Sequence, residues 1–289
     1  MSDYYGHQTG VLESPYLRLE YLAHGGPRIV RLFLRDSGEN LLGEFPDIGW
    51  DTHQGYYQLF GGHRLLSAPE VIGVSYLPDD AGLGVRETAS GVELSWEPEP
   101  SAGLAKIVTV SLAEERAAVR LEHRIINRFG ESVQAAPWAV TIFPLGGTAY
   151  LPSPPAGSAL QPDRRLSLWP YSRWDDPRLR LAAAGIMIEA RAGMPPLKLG
   201  TFVKEGTCAY LRDAILFTKQ TQPEPGEYPD NGCNVEVYCS DRLIELETLG
   251  PLVDLMPGGS ATHIETWEVD IGEKAARRLK ELFSHGGSA

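Results

Sequence analysis

Cysteine is scarce: Cys208, Cys233 and Cys239 are the only three in 289 residues. An odd number at irregular spacing argues against a disulfide framework or a zinc ribbon, and leaves a reducing, cytoplasmic setting as the expectation. Long apolar runs are also missing. The stretches 135–145 and 181–188 fall short of the ~18–20 residues a spanning helix needs, so no membrane partner is expected. The opening Met1-Ser-Asp-Tyr-Tyr-Gly carries neither a basic n-region nor an apolar h-region, so nothing there is expected to direct secretion. Basic charge is in deficit, with 26 Lys+Arg against 38 Asp+Glu and a formal net charge of −12. Short arginine pairs in that background do not form the basic stripe a phosphate backbone requires, so nucleic acid is not an expected partner. Also absent are G-x-x-x-x-G-K-[ST], a helix-opening G-x-G-x-x-G, H-E-x-x-H and G-x-S-x-G, so no cofactor and no metal are expected.

Turn residues, by contrast, abound. The 31 Gly and 22 Pro interrupt the chain too often for long helices, and the short runs between them read as strands. Segments 11–21 and 28–34 flank Gly25-Gly-Pro as the arms of a hairpin would, and 92–96, 105–112 and 118–128 follow the same pattern. In 118–128, Val119, Leu121, His123, Ile125 and Asn127 share one face, a period of two that fits a strand. Segments 138–143, 185–190, 207–211, 215–219, 235–239, 243–249 and 262–270 continue the series. Helical spacing is read at 273–285, where Ala276, Leu279, Leu282 and Phe283 form a stripe and Gly286 stands at the stop. The expected fold is therefore all-β, an antiparallel sandwich with one short C-terminal helix in a single domain spanning 1–289. Residues 151–160, rich in Pro, Ser and Ala, read as a surface loop within it.

Three clusters are able to carry chemistry. The first runs from Trp50 to Glu70, where aromatics adjoin Gly61-Gly-His63-Arg64. Glycines let backbone and ligand approach closely, and a polar pocket floored by rings is weighed against a hairpin with core aromatics and a surface His-Arg pair. The second is Leu168-Trp-Pro-Tyr-Ser-Arg-Trp174, whose Trp169, Tyr171 and Trp174 either stack on the C–H faces of a sugar or simply cover core. The third is Tyr228-Pro-Asp-Asn-Gly-Cys-Asn-Val-Glu-Val-Tyr-Cys239 with the strand that follows. Asp230-Asn-Gly is a turn. Glu236 and Tyr238 share one strand face, and Glu245 and Glu247 share another, either solvated or lining a polar cavity.

Leu246-Glu-Thr, Leu255-Met-Pro-Gly-Gly-Ser and His263-Ile-Glu-Thr-Trp267 resemble the C-terminal signature of aldose 1-epimerases, the galactose mutarotases. Asn127 with Ala136-Pro-Trp-Ala-Val-Thr and Gly146-Gly resembles that superfamily's middle strands. Gly61-Gly-His-Arg with Ala68-Pro-Glu, the Tyr228–Glu236 run and Leu246-Glu-Thr-Leu-Gly-Pro-Leu resemble a bacterial branch with the galactose mutarotase-like fold. The similarity spans about 12–269. It implies one large β-supersandwich with a carbohydrate site on one sheet, where a Glu takes the proton of the anomeric hydroxyl and a His protonates the ring oxygen. Glu247 matches the family's base. The family's middle-segment Asn-His has no counterpart, because this chain reads Ala136-Pro-Trp. The acid must then come from another strand, with His63, His53 or Lys219 as the options.

The resulting expectation is a carbohydrate-binding protein with aldose 1-epimerase chemistry, Glu247 as base and His63 as its catalytic partner. Arg64, Trp50, Trp138, Trp174, Tyr171, Lys219, Asp230 and Glu236 are the expected substrate-binding residues. The alternatives are a sugar-binding module without turnover, and a glycosidase or lyase using two of Glu236, Glu245 and Glu247. A phosphorylated or uronic sugar would require Arg64, Arg173 and Lys219 to converge.

Overall fold

The computed structural model describes residues 2–98, 103–153 and 160–284. Among them, two large antiparallel sheets enclose the main core. In the first, the order is Ser2–Tyr4, His7–Glu13, Leu17–Leu22, Arg28–Leu34, His63–Ala68, Val133–Pro144, Leu243–Leu249, Val235–Cys239, Leu197–Thr201 and Ser167–Leu168, with Val253–Leu255 also pairing to Val133–Pro144. In the second it is Leu179–Ala182, Gly185–Glu189, Thr148–Pro152, Thr207–Arg212, Ile215–Gln220, Ser260–Ile271, Ala118–Asn127, Leu104–Leu112, Gly91–Trp96 and Gly84–Thr88. A separate hairpin, Glu44–Thr52 with Gly55–Gly61, lies over the first sheet, where Phe45 and Leu59 join Leu66 and Trp138 in an apolar cluster on its outer side.

Period-two alternation builds these layers. Along Ala118–Asn127 the set Val119, Leu121, His123, Ile125 and Asn127 is buried, and the residues between them are exposed or half-buried. In the other sheet Ile244 and Leu246 point into the core, as do Val235, Val237 and Leu199. Each such side chain contributes roughly 1.5–3 kcal/mol by leaving water. Their neighbours Glu245, Glu247, Glu236 and Lys198 consequently face the other way, toward the hairpin.

The all-β architecture and the helix at Glu273–Ser284 match the sequence reading. Two short helical turns, Ile72–Ser75 and Pro229–Gly232, add to it, and the second holds Asp230 and Asn231 at φ 54° and 64°. The expected strand 11–21 is instead two, His7–Glu13 and Leu17–Leu22, because Pro15 supplies no N–H and Ser14 turns the chain by accepting a hydrogen bond from Leu17 N. The Gly25-Gly-Pro hairpin forms as expected, with Leu19 opposite Leu32. Of the expected loop at 151–160, residues 151 and 152 close a strand and 154–159 lie outside the described residues.

Candidate functional site

The link between hairpin and sheet decides what faces where. Gly61 and Gly62 both have positive φ, 95° and 65°. A Cβ would sit 2.2 Å from Gly43 O at the first and 2.0 Å from Ile29 O at the second, so only glycine fits the turn. The chain leaves this corner as the strand His63–Ala68, with Leu65 in the main core and Leu66 and Ala68 on the outer side. Arg64 shares the outer side, and His63 points into the space between the sheets.

Over the outer face lies a cleft of about 480 Å³. The hairpin supplies Trp50, the sheet supplies Arg64, Trp138, Lys198, Tyr238 and Glu245, and loops supply Tyr76 and Tyr171. Trp50, Tyr57 and Tyr76 form a cluster with centroids 4.9–5.3 Å apart, in which Tyr76 stands edge-on to the other two rings. Rings and a few converging polar groups are the usual makings of a small-molecule site.

The polar floor has two parts. Arg64 Nη2 lies 3.4 Å from Glu245 Oε1, while its buried Nε and Nη1 have no hydrogen-bond partner among the described residues. Burial pushes the Glu245 carboxyl up to about 7, against the pull of the Arg64 guanidinium. Beside it, Lys198 Nζ stands 2.9 Å from Glu247 Oε2 and 3.0 Å from Glu236 Oε2, and 4.6 and 4.7 Å from the ring centres of Trp138 and Trp169. The Trp138 indole N–H donates to Glu247 Oε2 at 2.7 Å. Burial alone would lower the Lys198 pKa, but Glu247 and Glu236 hold it well above its usual range. Burial drives Glu236 well above the usual carboxylate range, against the pull of Lys198.

The structure divides the expected residues accordingly. Arg64, Trp50, Trp138 and Tyr171 line the cleft. Glu247 and Glu236, both fully buried, lie beneath Lys198 rather than in the lining. Trp174 is 75% exposed and away from the cleft, and Asp230 sits in its turn, where its backbone oxygen accepts from Ser167. Arg64, Arg173 and Lys219 do not converge: Arg173 is exposed and paired with Asp175, and Lys219 is inside the sandwich. Lys198 and Tyr76 were not anticipated. Leu197-Lys-Leu199 carried the signal for the first, a lysine between two leucines whose alternation puts it opposite the core.

His63 and Lys219 belong to a buried network between the sheets. His123 Nδ1 donates to the carbonyl of His263 (3.1 Å), which leaves His123 Nε2 to accept from His63 Nε2 (2.8 Å) and His63 Nδ1 to accept from Thr141 (2.9 Å). Burial holds both rings below the ordinary histidine pKa, so they are neutral. Lys219 donates to the carbonyls of Ala139 and Leu246 and to Thr141, and pairs with Glu265 at 2.9 Å. His63, His123 and Glu265 place one ligand atom each within 4.8 Å of one another. Their hydrogen bonds are already made and Lys219 neutralises Glu265, so the donor set fits a hydrogen-bonded core better than a metal site.

Neither a protein-family model nor a curated protein matches the chain. Solved structures do. A TPR-domain containing protein from Parabacteroides distasonis superposes with a TM-score of 0.61 at 13% identity, over 91% of this chain and 47% of that one, so this chain spans about half of that protein. A protein from Escherichia coli K12 proposed as an aldose 1-epimerase superposes at 0.53 and 16% identity, covering 92% and 100%. A galactose mutarotase-like protein from Lactobacillus casei gives 0.54 and 9%, covering 91% and 100%. With two antiparallel sheets, a hairpin over one of them and these likenesses along nine-tenths of its length, the chain has the galactose mutarotase-like fold.

Proposed function

We propose that the outer-face cleft binds a carbohydrate and that Glu245 exchanges protons with the anomeric hydroxyl, an aldose 1-epimerase-like isomerisation. The observation that carries this is the position of Glu245: a cleft-lining carboxyl at about 7, beside a guanidinium and under a set of aromatic rings. A base with that pKa is half ionised at neutral pH, where it both accepts and returns a proton efficiently. Trp50 and Trp138 offer flat apolar area to the sugar's C–H faces, and Arg64 lines the floor beside Glu245. Glu247, the residue that matches the family's base, has the role of holding Lys198 and Trp138 in place.

Among the described residues no histidine lines the cleft. The ring oxygen then takes its proton from water, since the half-exposed Tyr171 shows the cleft open to solvent. General-base catalysis without a matched acid accelerates by roughly 10²–10⁴-fold. The missing histidine also favours a second reading, sugar binding without turnover. Saturation-transfer NMR on freshly dissolved galactose and glucose separates the two. Faster anomer exchange that Glu245→Gln abolishes supports isomerisation. Binding of either sugar with unchanged exchange supports the second reading, and no binding of any aldose overturns both.

A further inference from the structure

A second cavity of about 730 Å³ opens beside the strand Ser260–Ile271, walled by residues 220–224 and 249–251, and it shares no lining residue with the outer-face cleft. It reaches His263, which is 8% exposed. Thr248 has one hydroxyl proton and lies between two groups, His263 Nε2 at 2.8 Å and the Glu265 carboxylate. Lys219 and the neighbouring histidines hold that carboxylate ionised in spite of its burial, so it only accepts, and Thr248 donates to it. Thr248 must then accept from His263 Nε2–H. A neutral His263 with its proton on Nε2 carries a bare lone pair on Nδ1. Among the described residues no hydrogen bond reaches that atom, which turns toward Gly250, a wall of the cavity: a Cβ on Gly250 would lie 3.8 Å from it.

The cavity rim is positive in an acidic protein. Arg116, Arg120 and Arg278 line it against Glu224 and Glu268. Glu268 pairs with Arg116 at 2.7 Å and reaches Arg278 only at 3.9 Å, Arg278 also meets Glu281 at 3.8 Å, and Arg120 has a loose 3.7 Å pair with Glu122 outside the lining. An acceptor at the base and guanidinium groups at the mouth define one ligand chemistry. We propose that this cavity is a second binding site for a small hydroxylated organic anion, whose hydroxyl donates to His263 Nδ1 and whose phosphate or carboxylate meets Arg120 and Arg116.

The test uses the full chain with ¹⁵N-labelled histidine, titrated with glycerol 3-phosphate and, separately, with glycerate. The expected result is a shift of the His263 Nδ1 resonance with Nε2 unmoved, and a Kd about tenfold or more higher in Arg120→Glu, a change at a half-exposed side chain that leaves the core intact. Whichever of the two anions binds more tightly identifies the anionic group, and either supports the site. A His263 Nδ1 resonance that stays in place at saturation with both overturns it. So does an Arg120→Glu protein that binds as tightly as the parent, or inorganic phosphate binding as tightly as glycerol 3-phosphate.

Discussion

The Lys198 ammonium stands 2.9 Å from Oε2 of the fully buried Glu247. Glu236, opposite Glu247 across the strand pair, is held by the same nitrogen. One lysine thus spans two fully buried carboxyl groups. Lys198→Met should destabilise the fold by about 3–5 kcal/mol, the usual penalty for stripping the partner from a buried charge. Urea unfolding at pH 7 measures it, and a loss below about 1 kcal/mol would contradict the arrangement.

Glu245 titrates where assays are run. Its folded-state value of about 7 makes the base form appear above neutrality, so anomer exchange should rise with pH through about 7 and level off. The Arg64 charge lowers that value, and Arg64→Gln should therefore move the inflection upward. An inflection that stays put, or a flat profile, would assign proton transfer elsewhere.

Acid should loosen the interior network. Burial lowers His63 and His123, and puts His263 at about 3, while the unfolded chain takes up protons at about 6.5. Below 6.5 the unfolded state binds more protons than the native one, so stability falls as pH falls, by about 1.4 kcal/mol per pH unit for each histidine that stays neutral. Glu265, held low by Lys219 and the histidines, adds to the loss once the pH drops below the ordinary carboxylate range. Glu245 and Glu236, which burial raises, take up protons in the folded state over the same range and act in the opposite sense, so the check is on the rings themselves: histidine ¹⁵N shifts of charged imidazolium at His63 and His123 in the folded protein at pH 5 would refute this.

The two tryptophans weighed for stacking should behave differently. Trp138 lines the cleft and Trp174 is 75% exposed outside it. Trp138→Ala should raise the Kd for a bound sugar about tenfold or more, and Trp174→Ala should change it by less than about twofold. Isothermal titration with each variant decides, and equal losses in the two would remove the cleft assignment.

Sheets were more legible than the site, for a physical reason. Burial imposes period two on every residue of a strand, so Val235–Cys239 and Leu243–Leu249 could be read to the residue. Period two also places Glu236, Glu245 and Glu247 on known faces, but depth within a face depends on which long side chain lies across it. Lys198, from a strand the sequence reading passed over, covers Glu247 and Glu236 and leaves Glu245 open. Adjacency in sequence suggests that His63 and Arg64 share a site, which the structure does not bear out. A strand sends consecutive residues to opposite faces, and only the Gly61-Gly62 corner fixes which goes where.

That corner makes the sheet a partition between two chemical compartments, one that exchanges with the medium through the cleft and one in which His63 is all but enclosed. His63 and Arg64 are joined by a single peptide unit yet answer to different variables: Arg64 to what is dissolved outside, His63 to whether the two sheets stay closed. Shifting the strand by one residue would put a guanidinium among the histidines and an imidazole in the cleft, and both compartments would fail together. An insertion or deletion between Gly62 and Arg64 should therefore be far more damaging than any substitution there, because it exchanges the contents of the two sides.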